Sequence, residues 1–330
     1  MASIYDGKHY NPSVFKLAVQ NIMSSVKGEL GRLFSTRRVD RDLAIKFPDQ
    51  VGGNIAEIVI KGRLGGTSQN YDGATTIVPS KTTNFVQRVI AIGRVGSWEE
   101  NDFETSIAGY SELDAQVYQV ADFRNNEVRL AGLSILKGIF ASALTPVQKT
   151  AVVSADMIDA LVSSFGDLGD DIDTVLMDSY VAGELAKLNL LTYGTYQISG
   201  VQYQDQKIGY WAGKRVLIDD GCGTNSNASG SVHRVYALAP YSFRYCELGV
   251  KVPYEMARDS FTNGGVDAFI SRQRFVLAPE CVSFKGTPAS LSPTAVELET
   301  GANWELVKDG NGNACNRKIV PFACIEITLP

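Results

Sequence analysis

The chain has 330 residues, 45% hydrophobic and 20% charged, with a formal net charge of −5 and a pI near 5.2. That is enough apolar material for a large core and two or three subdomains, and its acidic balance argues against a general nucleic-acid binder. The five cysteines are odd in number and form no CxxC pair, which argues against a zinc site or disulfide framework and predicts reduced thiols.

Residues 1–46 hold eight Lys/Arg and four acids, so this arm carries +4 and the remainder −9. Ser13 can cap a helix that lines up Val14, Leu17, Ala18, Ile22 and Val26. A cationic arm on an anionic body suits contact with a neighbour's acidic surface, or weak contact with nucleic-acid phosphates. The alternative is a solvated charged segment. The first residues lack a signal peptide's apolar stretch, and no run of 18 apolar residues occurs. A soluble, cytoplasmically made protein is therefore expected.

Ile55–Ile60 and Phe85–Val95 read as strands from their β-branched, partly alternating pattern. Between them lies a long polar segment containing Gly65-Gly66 and Gly73. Loops this long are uncommon in compact domains unless functional. An isolated hairpin is marginal in water, so a two-stranded arm that lies on a second subunit is expected. The GRLGG run lacks the spacing of a phosphate loop.

From Ser111 to about Leu144 the pattern is that of one long helix. Leu113, Val117, Ala121, Val128, Ala131, Ile135 and Ile139 share a stripe. Ser111 is a good N-cap, with Asp114 three residues on. Gly132 and Gly138 are the weak points, each costing up to about 1 kcal/mol against Ala. The helix would be roughly 45 to 50 Å long, the length of a strut.

Ser154–Phe165 and Tyr180–Leu190 read as amphipathic helices flanking the short strand Thr174–Asp178. Strands follow at Tyr196–Val201, Lys207–Trp211 and Arg215–Ile218, then a loop at 221–231. Further strands are expected at Val232–Pro240, Phe243–Val252, Asp267–Leu277, Trp304–Val307 and Arg317–Leu329. No repeat period appears.

Candidate chemistry is sparse. A Ser-His-Asp site would need a hydroxyl and a carboxylate beside His9 or His233, and no GxSxG elbow exists. Ser134 and Lys137 match SxxK without its partner motifs, so a hydrolase built on them is the weaker alternative. Asp167, Asp170, Asp171 and Asp173 fail the ligand order of a calcium loop and read as a solvated turn. Asp219-Asp220-Gly221 reads as a turn, as does the sequon-like Asn227-Ala228-Ser229. Trp98 with Glu99, Glu100 and Asp102 is either a surface contact or a half-buried Trp before a helix. No catalytic, metal or cofactor site is expected.

Taken in order, six stretches resemble the major capsid proteins of tailed bacteriophages of the Hong Kong 97 type. VGSWEENDFETSIAGYSELDAQVYQVADF leads to NNEVRLAGLSILKGIFA, with Leu136, Gly138, Phe140 and Ala141 at the family's L-x-G-x-F-A. Asp156–Leu191 resembles its helix-strand-helix, with Gly169-Asp170 and with Asp178 where a His is common. GYWAGKRVLIDD has Arg215 at the usual Pro. YALAPYSFRYCELGVKVPYEMARDSF and RQRFVLAPECVSFKG resemble the returning strands. Ser292-Pro293-Thr294 followed by Trp304 resembles the C-terminal end. The likeness covers about 50 to 325.

The resemblance implies an α+β fold. It would comprise an N-terminal arm (1–49), an extended hairpin loop (50–100) and a peripheral domain with a spine helix (101–153). An axial domain (154–240) and return strands with a tail (241–330) would follow. It implies a shell of hexamers and pentamers around double-stranded DNA, assembled in the host bacterial cytoplasm. Its partners would be copies of itself, with scaffolding, portal and decoration proteins, and no membrane. A shell that encloses enzymes is the alternative. The expected subunit contacts are Arg37, Arg38, Arg41, Lys61, Arg63, Lys81, Arg88, Trp98 and Arg258. No long N-terminal scaffold-like helix precedes the arm, so a scaffold or protease is expected to be separate or absent.

Overall fold

Two strands flank the polar segment at 62–83: β1 (Ile55–Lys61) and β2 (Asn84–Asn101) pair antiparallel, with Ile55 opposite Ile90 and Lys61 opposite Asn84. The computed structural model describes residues 54–61, 70, 84–101, 113–198, 201–227, 230–262, 265–310 and 312–328. The arm, the hairpin tip and the Ser111 cap therefore lie outside the described residues.

Helix α1 (Leu113–Gly138) continues as a π turn through Ile139–Ala143, close to the expected end of the spine. Next come β3 (Gln148–Thr150), α2 (Met157–Ser164), β4 (Thr174–Met177) and α3 (Ser179–Lys187). Then follow β5 (Leu191–Ile198), β6 (Val201–Trp211), β7 (Lys214–Ile218), β8 (Thr224–Asn227) and β9 (Gly230–Leu238). The chain returns through β10 (Phe243–Glu247), β11 (Tyr254–Asp259), β12 (Val266–Pro279) and β13 (Val282–Phe284). It closes with α4 (Ala295–Glu299), β14 (Trp304–Leu306), β15 (Lys308–Asp309) and β16 (Phe322–Thr328).

A six-stranded sheet runs β1-β2-β12-β10, with β11 on β12 and β15 on β2. An eight-stranded sheet runs β3-β16-β9-β4-β7-β6-β5, with β8 on β9. The second mixes parallel pairs, β4 with β7 and β3 with β16, into an antiparallel frame. The spine lies in the core where the two sheets meet. Ile135, Leu136 and Ile139 are fully buried there with Ile92, Phe275, Tyr236, Phe322 and Trp304. From Ala131 to Leu136 every residue of the spine is buried. A helix apolar all round is the mark of a central one, and each such Leu or Ile contributes about 1.5–3 kcal/mol. A second cluster joins α2 and α3 to β4, β7, β9 and β16 through Leu161, Val181, Leu185, Val175 and Ile325.

Several boundaries differ from expectation. β2 runs on to Asn101 because its polar end is held in an unbroken ladder with β12, Ile92 opposite Phe275 through Asn101 opposite Val266; pairing overrides weak propensity. The expected strand Tyr196–Val201 is split, with β5 ending at Ile198 and β6 starting at Val201 around Ser199-Gly200. The expected loop 221–231 contains β8 and the start of β9. Sequence patterning missed β3, β11, β13, α4 and β15, all short.

Candidate subunit-contact surfaces

Among the expected contact residues, Arg88, Trp98 and Arg258 have described side chains. Arg88 sits on the hairpin directly opposite Glu57 and pairs with it at 3.7 Å, while its N–H donates to Ser283 Oγ at 2.7 Å. Trp98 is half-buried, edge-on to Phe123 of the spine and stacked on its cross-strand partner Phe269. Phe269 stacks in turn on Tyr254, which carries the Arg124 guanidinium 4.6 Å above its ring. Arg258 donates to Asp267, its cross-strand partner, at 2.7 Å. Lys61 closes β1; Arg37, Arg38, Arg41, Arg63 and Lys81 lie outside the described residues.

The sequence motifs weighed as chemistry are joints of the fold. The Ser134 hydroxyl donates to Glu299 Oε1 at 3.2 Å, and Lys137 Nζ reaches the same oxygen at 3.8 Å. The SxxK pair thus fastens the spine to α4. Gly138 passes so close to α4 that a Cβ would stand 2.0 Å from the Leu298 carbonyl and 2.6 Å from Trp304 Nε1. The same Trp304 N–H donates to that carbonyl at 2.8 Å. The Asp219 turn is more than a turn: its buried carboxylate accepts from Arg129 of the spine at 2.5 Å and from the Gly221 N–H at 2.7 Å. This locks the eight-stranded sheet to the strut.

His233 meets a carboxylate and a hydroxyl after all. Its Nδ1 faces Asp178, its Nε2 lies 3.3 Å from Ser231 Oγ, and Tyr180 stacks on its ring. Asp178 also caps α3, accepting from the Val181 N–H at 2.9 Å. The trio ties the start of α3 to β9. Asp167 of the acidic cluster pairs with Lys318 at 3.5 Å. Among the described residues no group of three His, Cys, Asp or Glu side chains stands ready to hold a metal. No described helix is long and apolar enough to cross a membrane.

The surface carries unsatisfied apolar groups in distinct places. On the hairpin, Val59 and its cross-strand partner Val86 are 57% and 43% exposed. At the tip between β11 and β12, Phe261 is 99% exposed, although its N–H is held by Asp259 at 2.9 Å. Leu291 and Val296 protrude around α4. A cavity of about 290 Å³, lined among others by Phe165, Pro240, Ile319 and Pro321, lies under the exposed Tyr241. Single exposed apolar residues are ordinary, but an apolar cross-strand pair on the hairpin and a fully exposed aromatic at a turn are candidate features of a contact surface. No sequence pattern marked Phe261, because one Phe beside a turn has no period.

Comparison with solved structures gives the class. The fold matches a capsid of cyanophage P-SCSP1u with a TM-score of 0.52 over 90% of this chain and 86% of that one, at 10% identity. It matches the head of Helicobacter pylori bacteriophage KHP40 with a TM-score of 0.51 over 84% of both, also at 10% identity. The fold is therefore the α+β fold of phage capsid subunits. By sequence the chain is 27% identical over 267 residues to the major capsid protein of Bacillus phage SPP1, covering 78% of this chain and 80% of that protein. No family model matches. The chain is thus similar in fold to phage capsid subunits and in sequence to a phage major capsid protein.

Proposed function

We propose that this chain is the major capsid protein of a tailed phage, closing as hexamers and pentamers into an icosahedral shell around double-stranded DNA. The observation that carries the proposal is the β1–β2 ribbon. It is rooted in the six-stranded sheet by the long β2–β12 ladder, with β15 alongside β2 at Val86, and it leaves the cross-strand Val59–Val86 pair 57% and 43% exposed. Such a ribbon gains by lying on a neighbouring copy. The presence of two sheets supports the domain division read from the sequence, with β3 of the expected peripheral segment instead joining β16 in the eight-stranded sheet. The spine and six-stranded sheet serve as the peripheral part, and the α2–β9 unit as the axial part. Arg37, Arg38 and Arg41 in the cationic arm brace adjacent acidic subunits. Scaffolding, portal and decoration proteins are the further partners of this reading, with DNA touched weakly across an acidic wall. Assembly takes place in the host cytoplasm.

Negative-stain microscopy with size-exclusion chromatography tests it on the purified protein, alone and co-expressed with its neighbouring genes. Closed shells or rings of five and six are expected; shells filled with protein instead of DNA would favour the compartment alternative. Deleting Lys61–Lys81 should leave a folded subunit that no longer closes shells. Intact particles from that deletion would remove the ribbon's role.

A further inference from the structure

Two of the five cysteines stand together. Cys281 lies between β12 and β13 with φ +63°. Its carbonyl accepts from the Val307 N–H at 3.1 Å, and the Val307 carbonyl accepts from the Cys315 N–H at 2.9 Å. Three backbones thus run side by side. The Cys315 thiol donates to the Cys281 carbonyl at 3.7 Å, and the Cys281 thiol points at the Ile319 carbonyl at 4.0 Å, back into the segment that carries Cys315. Cys281 is 8% exposed and Cys315 half-buried. Interaction between the two thiols pushes Cys281 above the usual thiol range and Cys315 below it, with Arg317 helping the latter. The accessible thiol is therefore the more easily ionised one, and the thiolate is the nucleophile. Cys222, Cys246 and Cys324 are buried.

We propose that Cys281 and Cys315 are a redox pair, reduced while the subunit folds and joined as an intrachain disulfide once it meets an oxidising exterior. The moment of closure rests on the shell reading, since a particle leaves the reducing cytosol; the bond itself does not. With a small disulfide such as oxidised glutathione, the Cys315 thiolate attacks one sulfur. The glutathione S–S bond breaks, a mixed disulfide forms on Cys315 and one glutathione thiolate leaves. Cys281 then gives up its proton and attacks Cys315 Sγ, expelling the second glutathione thiolate. Two protein thiols are oxidised, one small disulfide is reduced, and the two protons end on the two released thiolates.

The closed loop would hold α4, β14 and β15 against the spine. The test uses the purified full-length subunit, unassembled, so that its outcome is independent of shell formation. After oxidised glutathione, the intact mass should fall by about 2 Da, for two hydrogens. Non-reducing peptide mapping should join the Cys281 and Cys315 peptides. The melting temperature should rise by about 5 °C and return with dithiothreitol. Cys281→Ser should stop at a stable glutathione adduct on Cys315 with no such rise, and Cys315→Ser should leave Cys281 unmodified. A wild-type subunit that keeps the mixed disulfide, joins another pair of cysteines or does not react would overturn the proposal. The wild-type mapping decides even if a serine variant fails to fold.

Discussion

Gly138 shows how one atom fixes the approach of two elements. By helix propensity alone Gly138→Ala should stabilise the spine by about 1 kcal/mol. The new Cβ would instead occupy space held by the Leu298 carbonyl and the Trp304 ring. Backbone cannot swing aside as a side chain can, so overpacking wins. A net loss of about 2 kcal/mol is expected by denaturant titration, and a neutral or stabilised variant would mean that α4 is displaced freely. Glu326 is a different kind of residue-scale joint. Burial pushes its carboxyl up, but pairing with Lys149 at 2.9 Å and Arg234 at 3.2 Å prevails and holds it below the ordinary glutamate range. A depressed folded value means that the stabilisation is present above the unfolded pKa of about 4.3 and is lost as pH falls through the folded one. Glu326→Gln should therefore cost about 1–2 kcal/mol at pH 7, with the gap to wild type closing below about pH 4. A gap that stays constant down to acid pH would assign the loss to packing.

At the scale of elements, α3 is held at its start by Asp178, which accepts the Val181 N–H with one oxygen and meets His233 with the other. Asp178→Ala removes the cap and leaves a half-buried ring nitrogen without its carboxylate. About 2 kcal/mol of destabilisation is expected, and Asp178→Asn, which keeps the cap oxygen, should recover at least half; equal losses would make the cap irrelevant. The elements legible in the sequence are those with long periods. The spine's stripe continued for many turns, and the two β-branched runs of the hairpin were bounded by turn residues. Short elements such as β13 and α4 carried no period. They exist because Ser283 and Phe284 pair with Glu305 and Trp304, and because Thr294 and Glu297 cap each other reciprocally. The candidate contact surfaces were legible only where residue type, charge or length advertised them. Asp219 read as a turn because its partner, Arg129, lies ninety residues away. Trp98 and Arg258 drew notice by residue type, yet their chemistry is taken up by Phe269 and Asp267 of their own sheet.

For the whole molecule, the proposed assembly contact and intrachain stability rest on different surfaces. The cores around the spine and under α2 and α3 are closed within one subunit, whereas the β1–β2 ribbon leaves an apolar pair about half in water. The two can therefore be separated by substitution. Val59→Lys combined with Val86→Glu replaces that pair by an opposite-charge pair in the same cross-strand positions, which keeps the ribbon's local pairing. Because both sites are exposed, the unassembled subunit should melt within about 0.5 kcal/mol of wild type. A neighbouring copy that receives the ribbon would have to bury a charged pair in place of an apolar one, and the desolvation cost of the two charges, about several kcal/mol per ion, exceeds what their attraction returns. Multiplied over every contact of a closed shell, that cost should abolish particles in negative stain while subunits stay folded. Normal shells from the double variant would mean that the ribbon's apolar pair faces solvent in the assembly and that another surface, with Phe261 first to be tested, carries the contact.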